Sequence, residues 1–390
     1  MTSVQSTPPV GPRRRSVGDR PIDIAALGAA LYVHDVRTVQ YGARLASVDS
    51  RSKENDIVRR QILNQPETAP EEALEGLALT NPTLVAYDRT RGIVTRAAPA
   101  RDKVGLVSGG GSGHEPLHAG FVGYGMLDVA VPGAVFASPT ALQVHEGTVA
   151  ADSGRGVVQI VKNYTGDVLN FRIAGELAGD DNAVATETVL VDDDLATQST
   201  DDDGPGRRGT AAVLAVEKLC GASAEAGADL HTVAEVGRRV ARNARTLAFA
   251  LAAGTHPGET APAFTLEPGE VELGVGIHGE RGTGRVPFAD ADTLVSLLVD
   301  PLVAELGLSR GSAVIAIVNG LGGAYPLELS IAARAVHRQL TGRGITVARS
   351  LAGSYVTSLD MVGVSLTLLP ADADLLPLWD APVRTPALTW

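Results

Sequence analysis

Cysteine, positive charge and long apolar runs are scarce in this chain, and each scarcity excludes a class of function. The 390 residues include 1 cysteine, and 45 acidic residues outnumber 33 basic ones. One thiol cannot form an intrachain disulfide or a multi-cysteine zinc site, which suits a reducing cytoplasm. The net charge of −12 argues against a nucleic-acid binder, which needs a basic face. No apolar run is long enough for a membrane span, so we expect a cytoplasmic protein without nucleic acid or membrane partners.

The first 57 residues lack the regular pattern of the rest of the chain. Prolines and consecutive arginines precede a short apolar patch. Asp19, Arg20 and Asp23 interrupt the continuous apolar run that a signal peptide would need. We interpret residues 1–57 as a flexible N-terminal extension.

From residue 58 onward, strand and helix patterns alternate. Apolar runs typical of strands lie at residues 104–107, 127–131, 156–161, 188–191, 271–277, 313–318, 345–350 and 364–369. Helical patterns lie at residues 67–79, 168–177, 210–220, 229–250, 291–306 and 327–340. This alternation predicts an α/β fold of two layered α/β domains, each a mixed β-sheet flanked by helices. We place the first domain at residues 58–243, with a glycine loop, and the second at residues 244–390.

A glycine-rich segment follows the strand at residues 104–107. Residues 108–113 read Ser-Gly-Gly-Gly-Ser-Gly and lead into His114. Glycines allow positive φ angles and let a ligand approach the main chain closely. The segment is not a P-loop, because His114 stands where the lysine should be, and its spacing does not fit the dinucleotide fingerprint. It predicts either a binding loop or a tight turn.

Two further strands end in polar clusters. Lys162 and Asp167 follow the strand at residues 156–161, and His278 follows the strand at residues 271–277. Ligands of open α/β sheets bind beyond the carboxyl ends of strands, so the clusters can meet at one site. Metal binding by His114, His278 and Asp167 is one interpretation. Imidazole acting as base or nucleophile towards a carbonyl, with a carboxylate near a hydroxyl, is another. A serine triad lacks its nucleophile elbow here.

Three other features call for an interpretation. The acidic runs within residues 192–203 lack the spacing of a calcium loop, which favours a solvated loop. Arg207 and Arg208 precede a helix and are either solvated or a docking contact for an acidic or phosphate-bearing partner. Cys220 lies in an apolar helical run, which favours a buried structural thiol.

Longer blocks of the sequence carry a family resemblance. They include LVSGGGSGHEPLHAGFVGYGML (106–127), IVKNYTGDVLNF (160–171), VELGVGIHGERG (271–282), SYVTSLDMVGVSLTLL (354–369) and WDAPVRTPAL (379–388). In this order they resemble the substrate-binding subunit of the dihydroxyacetone kinase family. The resemblance covers about residues 67–390 and leaves the first 57 outside. The turn at residues 323–325 departs slightly from the family pattern.

The resemblance implies a role for each polar cluster. His278 corresponds to the histidine that forms a covalent hemiaminal with the keto carbon of dihydroxyacetone. His114 and Asp167 correspond to residues that contact the substrate hydroxyls and activate the one that is phosphorylated. The positions that line the substrate are Gly111, Ser112, Gly113 and Lys162.

The resemblance also implies a phosphotransferase that needs a second protein. No Walker lysine is present, and the chain stops where single-chain relatives continue into a nucleotide-binding domain. We expect no cofactor or metal on this chain, a DhaL-type partner subunit carrying ATP or ADP with magnesium, and a homodimer. The product would be dihydroxyacetone phosphate. The alternatives are a kinase subunit for another short ketose such as erythrulose, and a non-catalytic ketose-binding coactivator.

Overall fold

A computed structural model of the protein describes residues 60–198 and 206–390. The predicted extension at residues 1–57 and the second acidic run, Asp201 to Asp203, lie outside the described residues. The described part contains two six-stranded sheets with helices packed against them. The predicted fold class, with mixed sheets flanked by helices, is confirmed.

The first sheet has the strand order β1-β2-β4-β3-β5-β6. Strands β4, β3, β5 and β6 are parallel, and the hairpin of β1 and β2 is antiparallel at one edge. The central strands β3 and β5 are buried along their whole length, as expected for parallel strands covered on both faces. The strands are β1 Val85–Asp88, β2 Ile93–Arg96, β3 Gly105–Ser112, β4 Val129–Val135, β5 Val157–Lys162 and β6 Thr186–Val191.

The second sheet has the order β11-β10-β12-β7-β8-β9. Only β10 and β11 pair in parallel; the other neighbours are antiparallel. The strands are β7 Arg245–Ala252, β8 Glu270–Leu273, β9 Gly284–Pro287, β10 Ala313–Gly320, β11 Thr346–Gly353 and β12 Val362–Pro370. This sheet is mixed as well.

The helices cover both faces of each sheet. They are α1 Ala69–Thr80, α2 Ala141–Ala151, α3 Thr165–Asn182, α4 Ala212–Glu225, α5 Leu230–Asn243, α6 Ala291–Glu305, α7 Pro326–Gly342 and α8 Leu375–Asp380. Helix α4 is buried from Ala212 to Ala224, which is typical of a helix inside a core.

One apolar core is shared by the two sheets. Leu106 of β3, Leu214 of α4 and Ile315 of β10 belong to the same buried cluster. Along β10, Ile315 and Ile317 face this cluster, whereas the alternating residue Ala316 faces a second one with α6 and α7. Residues of both sheets therefore share one apolar core with α4. The domain boundary near residue 243 stays a prediction.

Three predicted elements were wrong in extent. The helix predicted at 229–250 ends at Asn243, because Ala244 is extended and the following residues pair with β12 and β8 as β7. The strand predicted at 271–277 ends at Leu273, because Gly274 has a φ of +77° and turns the chain. Strand β3 continues through the predicted glycine loop to Ser112.

The first acidic run is not a solvated loop, contrary to the prediction. Asp193 and Asp194 are buried. The Asp193 carboxylate accepts hydrogen bonds from Thr210 N (2.6 Å), Thr210 Oγ1 (2.8 Å) and Ala212 N (2.9 Å). These donors lie at the start of α4, whose first N–H groups have no partner within the helix. Asp193 therefore caps the central helix of the core.

We expect Asp193→Ala to lower the free energy of unfolding by about 3 kcal/mol, because it leaves buried donors at the start of α4 unpaired. Urea denaturation of the full chain measures the loss. Asp192→Ala is the matched control: its partly exposed carboxylate pairs with Arg207, and its loss should cost at most about 1 kcal/mol. Equal losses in the two variants would contradict the capping role.

Candidate active site

His114 is fully buried just beyond the carboxyl end of β3. Its Nδ1 lies 2.7 Å from the main-chain oxygen of Thr357, in the connection between β11 and β12. Because a carbonyl oxygen only accepts hydrogen bonds, Nδ1 carries the proton and Nε2 holds a lone pair. His114 Nε2 has no hydrogen-bond partner among residues 60–198 and 206–390.

The surroundings of His114 keep its ring neutral. Burial lowers the pKa of His114 well below its usual value, and the nearby His278 and Lys162 lower it further. The ring stacks on Phe136, with centroids 5.1 Å apart. A neutral imidazole with a free Nε2 can accept a proton from a hydroxyl group.

His278 meets His114 edge to face, with ring centroids 4.8 Å apart. The centroid of its ring also lies 4.3 Å from that of Tyr164 and 5.4 Å from that of Phe136. The two histidines that the sequence analysis selected therefore share one aromatic pocket, although His114 follows β3 of the first sheet and His278 lies in the connection between β8 and β9 of the second.

The Glu280 carboxylate contacts both the main chain and the ring of His278. The main-chain N–H of His278 donates to Glu280 Oε2 at 2.8 Å, and Nδ1 of the ring lies 3.5 Å from Glu280 Oε1. Burial by itself would raise the pKa of Glu280, but the hydrogen bonds from His278 lower it to about 2. A carboxylate beside Nδ1 favours the tautomer in which Nδ1 is protonated and Nε2 can act as a nucleophile.

Arg207 and Arg208 make internal contacts rather than forming a free cationic surface. Arg208 donates to Asp194 Oδ2 at 2.7 Å and to Gly274 O at 3.1 Å, and it lies 3.9 Å from Glu280. Arg207 pairs with Asp192. Arg208 therefore supports the carboxylate that contacts His278.

Lys162 and Asp167 come together at the carboxyl end of β5. Lys162 Nζ lies 3.7 Å from Asp167 Oδ2 and donates to Gly109 O at 3.2 Å. Both side chains are buried, and Asp167 Oδ1 accepts no hydrogen bond in the described part of the chain. Gly110 has a φ of +155°, which L side chains rarely adopt, and a Cβ there would lie 2.4 Å from Lys162 Nζ, so the strand uses glycine at this point.

The other glycine-loop positions are held by local contacts. A Cβ at Gly111 would lie 2.6 Å from Ala137 N. The Ser112 hydroxyl donates to Gly133 O at 2.7 Å, and Gly113 N donates to the Glu115 carboxylate at 3.0 Å. These residues shape the main chain beside His114.

Sequence reasoning missed the aromatic walls and the buried neighbours of Lys162. Phe136 follows β4, Tyr164 precedes α3, and Glu217 lies on α4. Glu280 stands two residues after His278 in a polar segment, which was a usable signal. Nothing in the local pattern of Glu217 distinguishes it from a surface residue.

Other predictions concern metal, membrane and thiol. No group of histidine, cysteine and carboxylate side chains that could hold a metal ion occurs in residues 60–198 and 206–390. Across the same residues, every helix is too short or too polar to span a membrane. Cys220 is buried, as predicted, and burial raises the pKa of its thiol above the usual range.

Comparisons with known proteins agree with this architecture. A family model described as the Dak1 domain matches residues 75–387. The chain is 42% identical over 359 residues to the PEP-dependent dihydroxyacetone kinase, dihydroxyacetone-binding subunit DhaK, of Escherichia coli K12, covering 85% of this chain and 99% of that protein.

Solved structures are similar too. The dihydroxyacetone kinase operon co-activator Dha-DhaQ aligns with a TM-score of 0.76 and 32% identity, over 82% of this chain and 97% of that one. The native dihydroxyacetone kinase of C. freundii aligns with a TM-score of 0.74 and 34% identity, over 85% of this chain and 60% of that one.

Two mixed sheets that share an apolar core with α4, and a fully buried His114 against a partly buried His278, define a class of α/β protein that carries a Dak1 domain. The chain belongs to the dihydroxyacetone kinase family. The resemblance inferred from the sequence is confirmed.

Proposed function

We propose that this chain is the dihydroxyacetone-binding subunit of a dihydroxyacetone kinase. The observation that carries the proposal is the pair of histidines: a neutral, buried His114 with a free Nε2, edge to face with His278, whose Nδ1 faces Glu280. One imidazole is suited to take a proton and the other to add to a carbonyl carbon.

His278 holds the ketose as a hemiaminal. Its Nε2 adds to the keto carbon and forms a C–N bond. The carbonyl oxygen takes up a proton and becomes a hydroxyl, and the ring loses the proton of Nδ1, which faces Glu280. Glycerol has no carbonyl and cannot be held in this way, so the bond discriminates more strongly than shape alone.

The hydroxyl to be phosphorylated lies near two acceptors. His114 Nε2 and Asp167 Oδ1 are both buried without hydrogen-bond partners in the described residues. Either can accept the hydroxyl proton as phosphate arrives. Lys162, beside Asp167, and the main chain of Gly111, Ser112 and Gly113 line the substrate.

The phosphoryl donor comes from a partner protein. Phosphoryl transfer needs a metal–nucleotide clamp to stabilise the moving charge. The Escherichia coli relative is named as one subunit of a PEP-dependent kinase, which supports a division of labour. We assign ATP or ADP with magnesium to a DhaL-type subunit. A homodimer of this chain remains a prediction.

Two alternative functions can be tested by experiment. The similarity to a co-activator favours a ketose-binding regulator as the second candidate. The other alternative is a kinase subunit for erythrulose, which is a longer ketose than dihydroxyacetone.

Reconstitution tests the proposal. The purified full chain with ATP, magnesium and dihydroxyacetone should form no dihydroxyacetone phosphate, and an added DhaL-type subunit should restore it, because the clamp then arrives with the nucleotide. A coupled dehydrogenase assay measures the product. Erythrulose and glycerol are run in parallel, the latter as the control without a carbonyl.

Each outcome decides between the candidates. Turnover by the isolated chain would overturn the two-subunit reading. The DhaL-type subunits used must first be shown to be active with the DhaK subunit of their own organism. If the present chain then binds the ketose but gives no turnover with them, the regulator is favoured. Faster turnover of erythrulose than of dihydroxyacetone would reassign the substrate.

A further inference from the structure

Behind Lys162 lies a line of buried groups that the proposed mechanism does not use. Lys162 Nζ is 2.9 Å from His118 Nε2, and His118 Nδ1 is 2.6 Å from Glu217 Oε1. All three residues are buried; Lys162 and Glu217 are 0% exposed and His118 is 5% exposed. Together they connect the glycine loop, through Lys162 and Gly109, to helix α4.

The contacts allow two arrangements of the protons. An ammonium group only donates, so His118 Nε2 accepts from Lys162 and His118 Nδ1 carries the ring proton. That proton is donated to Glu217, which accepts as a carboxylate. A second arrangement has the same contacts: neutral amine, imidazole protonated on Nε2, and carboxylic acid. The two differ by the transfer of one proton across each hydrogen bond.

Burial disfavours the charged form at each end of this line, which reduces the preference for the first arrangement. Burial lowers the pKa of Lys162, and the nearby carboxylates of Asp167 and Glu217 partly offset this shift. Burial raises the pKa of Glu217 to about 8, although the charge of Lys162 acts in the opposite direction. Burial also lowers the pKa of His118 well below its usual value, with Lys162 and His114 adding to the effect. Two other titratable groups lie near Glu217 on α4: Cys220 has a raised pKa and stays a neutral thiol, and Lys218 donates to Leu378 O at 2.7 Å.

We propose that His118 and Glu217 are positioning residues that form a proton relay with Lys162 and set its charge beside Asp167. The proton of Lys162 Nζ passes to His118 Nε2 as the proton of His118 Nδ1 passes to Glu217 Oε1. No atom is gained or lost, and an ion pair becomes a neutral pair.

The relay matches the change in charge that catalysis produces, and in this use it rests on the proposed function. The Lys162 ammonium lies 3.7 Å from Asp167 Oδ2, and the Asp167 carboxylate is one of the two acceptors for the hydroxyl proton. Once Asp167 is protonated, Lys162 has lost its nearest anion. Transfer along the relay then removes a buried charge that has become costly.

The charge of Lys162 can be measured without substrate or partner. The chain has only four lysines, Lys53, Lys103, Lys162 and Lys218, so ¹³Cε-labelled lysine gives a simple NMR spectrum of the full chain, in which Lys162→Arg assigns the signal. In Glu217→Gln the amide oxygen still accepts from His118, but the anion is gone. We expect the pKa of Lys162 to fall by about one unit or more.

Two further variants complete the titration. Cys220→Ser, also buried on α4, should leave the Lys162 titration unchanged, and Glu217→Asp, which keeps the charge, should stay near the wild type. His118→Asn breaks the connection and replaces Glu217→Gln if that variant does not fold by circular dichroism. An unchanged Lys162 titration in a folded Glu217→Gln or His118→Asn variant would overturn the relay.

A kinetic arm uses the reconstituted enzyme. Glu217→Gln should move the alkaline limb of the kcat profile to lower pH, because Lys162 then loses its proton at lower pH, and should leave KM for the ketose unchanged. A lower kcat with an unshifted profile contradicts the relay. If the wild-type chain shows no turnover with any partner, the proposed function fails, while the lysine titration still decides the relay.

Discussion

His114→Ala and Asp167→Asn are each expected to lower kcat by more than about 100-fold in the reconstituted enzyme, the scale of a lost general base. The reason is that His114 Nε2 and Asp167 Oδ1 are buried acceptors without partners in the described residues. A hydroxyl group placed between them would lose one of its two acceptors in either variant. Steady-state rates at saturating dihydroxyacetone measure the effect.

Matched substitutions separate chemistry from folding. Asp181→Asn changes an exposed carboxylate at the far end of α3, the helix that carries Asp167, and His231→Ala removes an exposed imidazole on α5. Both should keep the wild-type kcat. If only one of the two site variants loses activity, that residue is the base and the other positions the substrate. If neither does, the proposed site is wrong.

His278→Ala is expected to lose the covalent ketose adduct completely while the fold is retained. No other group in the aromatic pocket combines a ring nitrogen with a carboxylate beside it, among the residues that the structure describes. Native intact mass of the chain with dihydroxyacetone measures the adduct directly. At low dihydroxyacetone the reconstituted rate should fall with it, because the ketose is no longer held.

The control for this prediction is His337→Ala, which removes a histidine from α7 in the second half of the chain. Its adduct should match the wild type. Unchanged turnover of His278→Ala at low dihydroxyacetone would refute the covalent role. An adduct that persists in His278→Ala would move the bond to another residue, His114 first.

Periodicity determined much of the layered fold. The strands that became β5 and β10, and the helices that became α1 and α6, were predicted within a few residues, because a buried face imposes a regular apolar spacing. The short strands β1, β2 and β9 carried too few residues for such a pattern. Residues 245–250, most of β7, were assigned to a helix because their own pattern could not reveal the neighbours β12 and β8.

The candidate site divides in the same way. Its first members stood out because His114, Lys162 and Asp167 lie at or just beyond the ends of the adjacent parallel strands β3 and β5, whose carboxyl ends must lie side by side. Only the tertiary structure placed Glu217 against His118, 99 residues earlier in the chain. A carboxylate on a helix carries no local sign of burial. The other helices and strands decide which residues contact this carboxylate, and those contacts determine whether it is charged.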